Sequence, residues 1–455
     1  MSGSFSRLMA TPAFKFVVLG VLTLALMIPL LLVFLIVGER EGYSRAAVSE
    51  VGRKWGRAQA ISGPYIVVPL EREAERVDRQ GVKTSYTQRK YAVLLPEMLN
   101  IKSDVTADQL KRGIYDVPVY TTALTYKGAF KAADLASLTR DNYQPRYDEI
   151  VMSLFVADVR GIKETTKVVL SGGGQGEPRD VRFEAGTGVS NARPSGIHIP
   201  LSRAELMNEF GFEFQLPVKG TNFLKFEPSG GETHVSMSSN WPHPSFTGNF
   251  LPIERTITAE GFTAKWQVPQ LARGGEQIRT TTKLNTLMAH NQFGVQFYQP
   301  VGFYDLVGRA LKYAVAFIAA VFLLVFIMEV YVGRPVHWIQ YVFVGFALLI
   351  FYLVLLGLAE HVGFEVAYGV ASLATALLIG LYSASALKAP AKGIFLGMII
   401  ALLYGLLYML LRVEDYALLI GSIASFFMLS GLMYMTRNVD WSGYKLTPED
   451  PTSAP

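Results

Sequence analysis

The sequence predicts a multi-pass α-helical membrane protein with six spans and a large, mainly β, sandwich-like domain inserted between spans one and two. Three observations predict this fold class. Of the 455 residues, 51% are hydrophobic and only 17% are charged; six apolar runs have the length of a membrane span; and one long segment alternates short strand-like stretches with turns. Because a soluble globular chain carries about 25% charged residues, the composition excludes an ordinary soluble enzyme and a disordered chain.

The first apolar run covers residues 16–37, contains no charged residue and follows Arg7 and Lys15. A cleaved signal peptide has a shorter apolar core, of roughly 7–15 residues, followed by a small-residue cleavage site. This run is long enough to cross about 30 Å of hydrocarbon. We therefore interpret residues 1–15 as a cytoplasmic N-terminus and residues 16–37 as an uncleaved signal anchor, with a bend expected at Pro29.

Five further runs follow one another closely and are predicted to form a five-span bundle over residues 311–436. They cover residues 311–332, 339–359, 366–387, 393–411 and 416–436. Their connections are only four to six residues long, so that consecutive spans must be antiparallel neighbours. The polar tail, residues 437–455, is predicted to be disordered and cytoplasmic.

Basic residues near the span ends predict the orientation, because Lys and Arg collect on the cytoplasmic side. With a cytoplasmic N-terminus, the outer short loops carry only Arg412, whereas Arg309 and Lys312 oppose this orientation. The inner segments then carry Arg7, Lys15, Arg334, Lys388, Lys392, Arg437 and Lys445. Both termini are therefore predicted to be cytoplasmic, with residues 39–308 in the periplasm as the bulk of a domain over residues 38–310.

The periplasmic segment is predicted to consist mainly of antiparallel β-sheet. Its β-branched and aromatic residues fall into short stretches, several of which alternate with polar residues, between clusters of Gly and Pro. The stretches are residues 65–70, 90–95, 114–126, 150–156, 167–170, 212–218, 234–238 and 262–268. Helical periodicity is limited to residues 44–59 and 202–209, and the strand order cannot be deduced.

The soluble segment offers no motif of an enzyme or a cofactor site. Cysteine is absent, which excludes disulfides, thiolate zinc sites and a cysteine nucleophile, and a net charge of +5 does not favour nucleic-acid binding. The glycine-rich residues 171–176 lack the Gly-Lys-Ser/Thr of a phosphate-binding loop and are interpreted as a hairpin loop. His243, between two prolines, is expected in a rigid loop. We predict no catalytic residue, cofactor or metal.

Ionisable residues at the span ends form the candidate site. They are Glu360, His361, Glu365, Arg412, Glu414 and Asp415. Alternating topology places both of their loops at the same membrane surface, where we expect Arg412 to pair with at least one acid. Two interpretations stay open: the acids stabilise helix N-termini, or the six residues bind a headgroup, an ion or a partner. Glu329 is expected within reach of Arg334, at the other surface.

Small residues four apart occur in the fourth span, at positions 367, 371 and 375 and at positions 376, 380 and 384. Such spacing lets helix backbones approach closely in a membrane. We expect it to serve packing within the bundle rather than dimerisation.

Ten longer segments resemble, in order, those of one family. They are residues 91–97, 111–120, 195–198, 240–248, 262–266, 294–297, 337–341, 360–364, 413–419 and 435–441. On these segments the chain resembles the CreD family of inner-membrane proteins of Gram-negative bacteria, although Trp338 stands where relatives are expected to have proline. The resemblance implies a large periplasmic domain and an association with cell envelope integrity, colicin tolerance and a two-component regulon. It implies no established reaction, so that no catalytic residue is carried over.

Three functions are compatible with these observations. The first is a non-enzymatic protein that supports envelope integrity, with a periplasmic β domain that contacts a protein partner, peptidoglycan or lipid. The second is a transporter of a lipid or small solute through the bundle, although no ionisable residue lies near mid-span. The third is a membrane-embedded hydrolase that uses the candidate site. The expected partners are membrane lipids and an envelope component, and not nucleic acid.

Overall fold

The computed structural model describes residues 12–77, 83–134, 138–164, 166–174, 177–189, 195–282, 284, 291–297, 302–332, 336–413 and 416–437. The chain divides into two compact units. We call Met1–Tyr43 with Val301–Pro455 the helical unit and Ser44–Pro300 the β-rich unit. The tail that the sequence predicts to be disordered lies, after Arg437, outside the described residues.

The first helix, α1 (Pro12–Trp55), is longer than predicted. The sequence indicated a span over residues 16–37 and a separate helix over residues 44–59, whereas the structure joins both into one helix of 44 residues that passes through Pro29. The joining residues include Glu39, Arg40 and Glu41, which favour helix. The helix ends before Gly56, whose φ of 145° and close approach to the Lys219 carbonyl suit only a residue without Cβ.

The β-rich unit contains a ten-stranded sheet, in which the long strand β1 (Gln59–Val77) pairs with four other strands. Its strands are β1 (Gln59–Val77), β2 (Lys83–Leu94), β5 (Gln144–Pro145), β6 (Val151–Val156), β9 (Glu184–Ala185), β10 (Gly196–Pro200), β12 (Phe223–Phe226), β14 (Pro244–Gly248), β17 (Ile278–Thr281) and β18 (Phe293–Phe297). The main path runs β14-β18-β12-β1-β6-β10-β9, and β2 joins β17 to β1.

The second sheet has eight strands in the order β15-β16-β13-β3-β4-β11-β7-β8. They are β3 (Met98–Arg112), β4 (Tyr115–Phe130), β7 (Lys167–Gly172), β8 (Arg179–Arg182), β11 (Phe210–Thr221), β13 (Glu232–Ser239), β15 (Glu254–Thr258) and β16 (Gly261–Pro269). The unit also contains two short α-helices, α2 (Arg203–Met207) and α3 (Gln270–Arg273). Among the described strands only the β1–β12 and β3–β13 pairs are parallel.

One apolar core joins the two sheets. Ile66 and Val68 of β1 lie in the same buried cluster as Leu99 and Ile101 of β3, together with the fully buried Trp266 of β16. Burial of these side chains stabilises the unit by about 25 cal/mol for each Å² removed from water. Each of the eight predicted stretches overlaps a strand, and β7 and β8, which flank the glycine-rich residues, pair antiparallel. Residues 175 and 176 of the predicted hairpin loop lie outside the described residues.

The helical unit contains α4 (Phe303–Val332), α5 (Trp338–Val362), α6 (Phe364–Ala386), α7 (Pro390–Arg412) and α8 (Ala417–Thr436), besides the first part of α1. In the described part of the chain, five helices, α1 and α4–α7, are long and apolar enough to cross a membrane. By the same measure α8 contains a shorter apolar stretch, Leu419–Gly431. The predicted combination of apolar membrane helices with a large β-rich domain is thus confirmed.

The small residues of α6 pack against α7, as the sequence predicted. A Cβ built on Gly393 of α7 overlaps the Ala384 backbone, and a Cβ built on Gly380 falls 3.0 Å from the Gly397 Cα. The two backbones are therefore too close for larger side chains at these positions. This spacing serves packing within the chain.

Candidate functional site

The ends of three helices of the helical unit carry the described part of the candidate site, which we call the end patch. It comprises Glu360 and His361 in the last turn of α5, Glu365 in the first turn of α6 and Arg412 at the end of α7. Glu414 and Asp415 lie outside the described residues. Because α6 and α7 are antiparallel neighbours, the start of one lies beside the end of the other.

Arg412 forms a salt bridge with Glu365, so that the expected pairing of this arginine with an acid is found. Its Nε also donates to the Tyr408 hydroxyl at 3.1 Å. The two charged side chains are 45% and 68% exposed. An ion pair that is this exposed in water contributes at most about 1 kcal/mol. It ties the start of α6 to the end of α7.

Glu360 has different partners, which the sequence analysis missed. Its side chain is only 10% exposed; the Tyr304 hydroxyl donates to Oε1 at 3.1 Å, and Arg40 lies 3.7 Å from Oε2. These contacts connect α5 with α4 and α1. His361 is exposed and has no polar contact among the described residues. Sequence could not indicate these partners, since each lies on a helix distant in the chain from Glu360.

A second charged cluster, also missed, lies where α4 ends and α5 begins. Lys15 of α1 forms a salt bridge with Glu329, whose side chain is 6% exposed, and the Tyr341 hydroxyl donates to Glu329 Oε2 at 2.6 Å. Arg334, which the sequence predicted to lie within reach of Glu329, is outside the described residues. The signal was present, because Lys15 precedes the first span and Glu329 ends the second at the same predicted surface.

The β-rich unit presents a polar surface that we call the open face, the side of the eight-stranded sheet that points away from the shared core. Strand register aligns its side chains in two rows across β16, β13, β3 and β4. The rows are Gln267, His234, Asn100 and Lys127, and beside them Lys265, Ser236, Lys102 and Thr125. A groove of about 440 Å³ runs over them.

Charges on the open face are only partly compensated. Lys265 lies 2.7 Å from Glu254 and Lys127 lies 3.3 Å from Glu213. Lys102, in the middle of the face, has no polar partner among the described residues. The surface thus combines amide and hydroxyl groups with a free ammonium group, a set that binds carboxylate, phosphate or sugar hydroxyl groups.

The helical unit also contains an apolar groove of about 1130 Å³ between α4, α7 and α8. Small residues open it, among them Ala316, Ala320, Gly405 and Gly421. A Cβ built on Gly405 meets nothing within 4 Å. The groove has the apolar lining that accommodates an acyl chain. Among the described residues of the whole chain, no group of three or more His, Asp or Glu side chains is placed to hold a metal ion.

Residues 11–442 match the family model described as Inner membrane protein CreD. The chain belongs to the CreD family. The Inner membrane protein CreD of Escherichia coli (strain K12) is 33% identical over 428 residues, which are 93% of this chain and 92% of that protein. The match covers both units, and the resemblance inferred from the ten segments is confirmed. CreD proteins are inner-membrane proteins, in agreement with the several apolar helices of this chain.

Proposed function

We propose that this CreD protein is a non-enzymatic inner-membrane protein that supports cell envelope integrity, and that its β-rich unit contacts an envelope partner through the open face. The observation that carries the proposal is the eight-stranded sheet itself. It is part of a large domain with its own apolar core, yet the side that points away from this core is mainly polar and carries a groove. Its groove volume falls within the range of about 300–1,000 Å³ that is usual for ligand sites.

The chemistry of the open face limits the class of partner. A central free ammonium group, flanked by amides and hydroxyls along two straight rows, suits an extended partner that repeats hydrogen-bonding groups and carries carboxylates. Peptidoglycan and an acidic protein segment both have these properties. Lys102 supplies the electrostatic attraction, whereas Asn100 and Ser236 fix orientation by hydrogen bonding.

The partner is accessible only if the β-rich unit lies outside the cytoplasm. We propose six spans, with α8 as the sixth, both termini in the cytoplasm and residues 39–308 in the periplasm. The excess of basic residues in the inner segments supports this orientation. A reporter that is active only outside the cytoplasm should work when fused after Gly172 and fail when fused after Lys392. The reverse pattern would contradict the orientation and the accessibility of the open face.

Site-specific crosslinking in living cells tests the contact itself. A photoreactive amino acid at position 102 or 236 should give a reproducible adduct of the same mass. The same amino acid in place of Thr84, which is exposed on β2 of the other sheet, is the matched control and should not give that adduct. Equal adducts from all three positions, or none from the open face, would refute the proposed contact.

A lipid transporter is the second candidate, and the apolar groove between α4, α7 and α8 favours it. Replacement of Gly405 by Leu should fill the groove, whereas Gly357→Leu on α5 adds the same volume where there is open space outside it. Lipid transfer in proteoliposomes that is lost in Gly405→Leu and retained in Gly357→Leu would support transport. Equal rates for wild-type and lipid-only vesicles would exclude it. No observation in the described part of the chain favours the hydrolase.

A further inference from the structure

A buried polar cluster lies on the ten-stranded sheet, on the side away from the shared core and so apart from the open face. Tyr65 of β1 belongs to the buried layer on that side, together with Val67 and Val93. Ser229 Oγ accepts a hydrogen bond from the Gly63 amide at 2.8 Å and lies 2.9 Å from the Tyr65 hydroxyl. Ser229 is fully buried, so this cluster is part of the interior.

Arg273, the last residue of α3, is the unusual member of this cluster, where its charge interacts with Tyr65 and with Glu227. It is only 4% exposed, and all three nitrogens of its guanidinium group are buried without a hydrogen-bond partner among the described residues. Arginine does not lose its proton in a protein. A buried guanidinium group without acceptors is strongly unfavourable, so a group that supplies acceptors would stabilise it.

Glu227, which follows β12, is the acidic residue of this cluster, but among the described contacts it does not form an ion pair with Arg273. Its side chain is buried, and Oε2 has no hydrogen-bond partner among the described residues. Burial raises the pKa of Glu227 to about 7, although the Ser62 hydroxyl and the charge of Arg279 act in the opposite direction. Near neutral pH this carboxyl is therefore only partly ionised.

Arg279 of β17 adds a second positive charge. Its guanidinium group donates to the Gly274 carbonyl at 3.0 Å. Burial lowers the pKa of Arg273 most, and the charge of Arg279 lowers it further. Two guanidinium groups thus face one partly neutral carboxyl. The cluster has a net positive charge, and the three unpartnered nitrogens of Arg273 leave five N–H donors unused, which together meet the electrostatic requirement of an anion site.

We propose that Arg273, assisted by Arg279, binds a small oxyanion, the carboxylate or phosphate group of a ligand, in this cluster between α3 and the ten-stranded sheet. The planar guanidinium fork matches the paired oxygens of either group and binds them with two parallel hydrogen bonds. The anion supplies the acceptors that Arg273 lacks and balances the second positive charge. This site is independent of the proposed contact through the open face.

Equilibrium dialysis of the purified full-length protein in a phosphate-free detergent tests the site, with labelled acetate and labelled inorganic phosphate as separate probes at fixed salt concentration. We expect saturable binding of about one anion per chain. Acetate binding alone would identify a carboxylate site, and phosphate binding alone a phosphate site. Saturable binding of neither probe would refute the proposal, with the buried charge then compensated by water alone.

Variants locate the binding. Arg273→Gln should weaken it at least tenfold, whereas Arg255→Gln, an arginine exposed on β15, is the control and should not change it. Wild-type affinity in Arg273→Gln would overturn the assignment. If that variant does not fold, Arg279→Gln, at a partly exposed position, is the second test. We expect it to weaken anion binding several-fold, and unchanged binding would contradict the proposal. Glu227→Gln removes the competing acid and should bind the probe at least as tightly as the wild type.

Discussion

The two sheets of the β-rich unit differ in how many of their faces are covered. In the ten-stranded sheet, all six residues of β6 are buried, and Val67 and Val93 lie under a second apolar layer that includes Leu284. In the eight-stranded sheet, ten consecutive residues of β3 alternate between exposed and buried. A sheet covered on both faces can hide a charged cluster, whereas a sheet with one free face can only present its polar groups to a partner.

The difference between the two sheets is tested most directly by shortening one outward-pointing side chain on each sheet. Phe155 of β6 points away from the shared core but is 1% exposed and packs on Tyr65, with 5.9 Å between the ring centres. Phe155→Ala should lower the free energy of unfolding by about 3–5 kcal/mol. Lys102→Ala on the open face should change it by less than about 0.5 kcal/mol. Urea unfolding followed by tryptophan fluorescence measures both, and similar losses would contradict the difference between the sheets.

The helical unit allows the same comparison of covered with open positions. Lys15→Met leaves Glu329 buried without its basic partner and should destabilise the unit by about 3 kcal/mol or more. The exposed pair provides the matched change, because Glu365→Gln should cost about 1 kcal/mol or less. Unfolding in a mixed detergent, followed by circular dichroism, distinguishes the two. A larger loss for Glu365→Gln would show that the end patch is more than a set of helix-end contacts.

The covered sheet should also make stability depend on pH. The pKa of Glu227 is raised from an ordinary 4.5 to about 7, so that the folded state binds the proton more tightly than the unfolded state. This contribution is fully present below about pH 4.5 and is lost as the pH rises through about 7, a change of about 3 kcal/mol. The wild type should therefore lose more stability than Glu227→Gln between pH 5 and 7.5. Parallel pH profiles of the two proteins would contradict this assignment.

The smallest expected effect concerns the end patch in the cell. If the patch only stabilises helix ends, Glu360→Gln should accumulate in the membrane and restore the envelope phenotype of a deletion strain. Loss of the phenotype at normal protein abundance would instead make Glu360 part of a binding site. Ser372→Ala, at a partly exposed position in the middle of α6, is a suitable control for the assay.

The number of buried faces of a helix or strand determines how well that element could be predicted from the sequence. The apolar runs and the stretch Val151–Val156 were recognisable because every position, or every second one, is apolar. Strand β3 was missed because its outward residues are polar and its inward residues include the small Ser103 and Ala107. The rows of the open face depend on lateral register, and the pairs Lys15–Glu329 and Arg40–Glu360 depend on helix packing. Of these, only the Lys15–Glu329 pair has a signal in the sequence, because both residues lie at the ends of predicted spans on the same predicted surface.

The close contact between α6 and α7 has a consequence for how the protein enters the membrane. Gly393 and Ala384 touch backbone to backbone near a turn of only a few residues, so that no lipid fits between the helices and the pair can insert as one hairpin. Lys388 lies in the connection and Lys392 in the first turn of α7, whereas Glu365 and Arg412 form a salt bridge at the opposite end of the hairpin. Moving two lysines across hydrocarbon is costly, and lysines collect on the cytoplasmic side of membrane proteins. We therefore expect the end of the hairpin that carries them to stay in the cytoplasm.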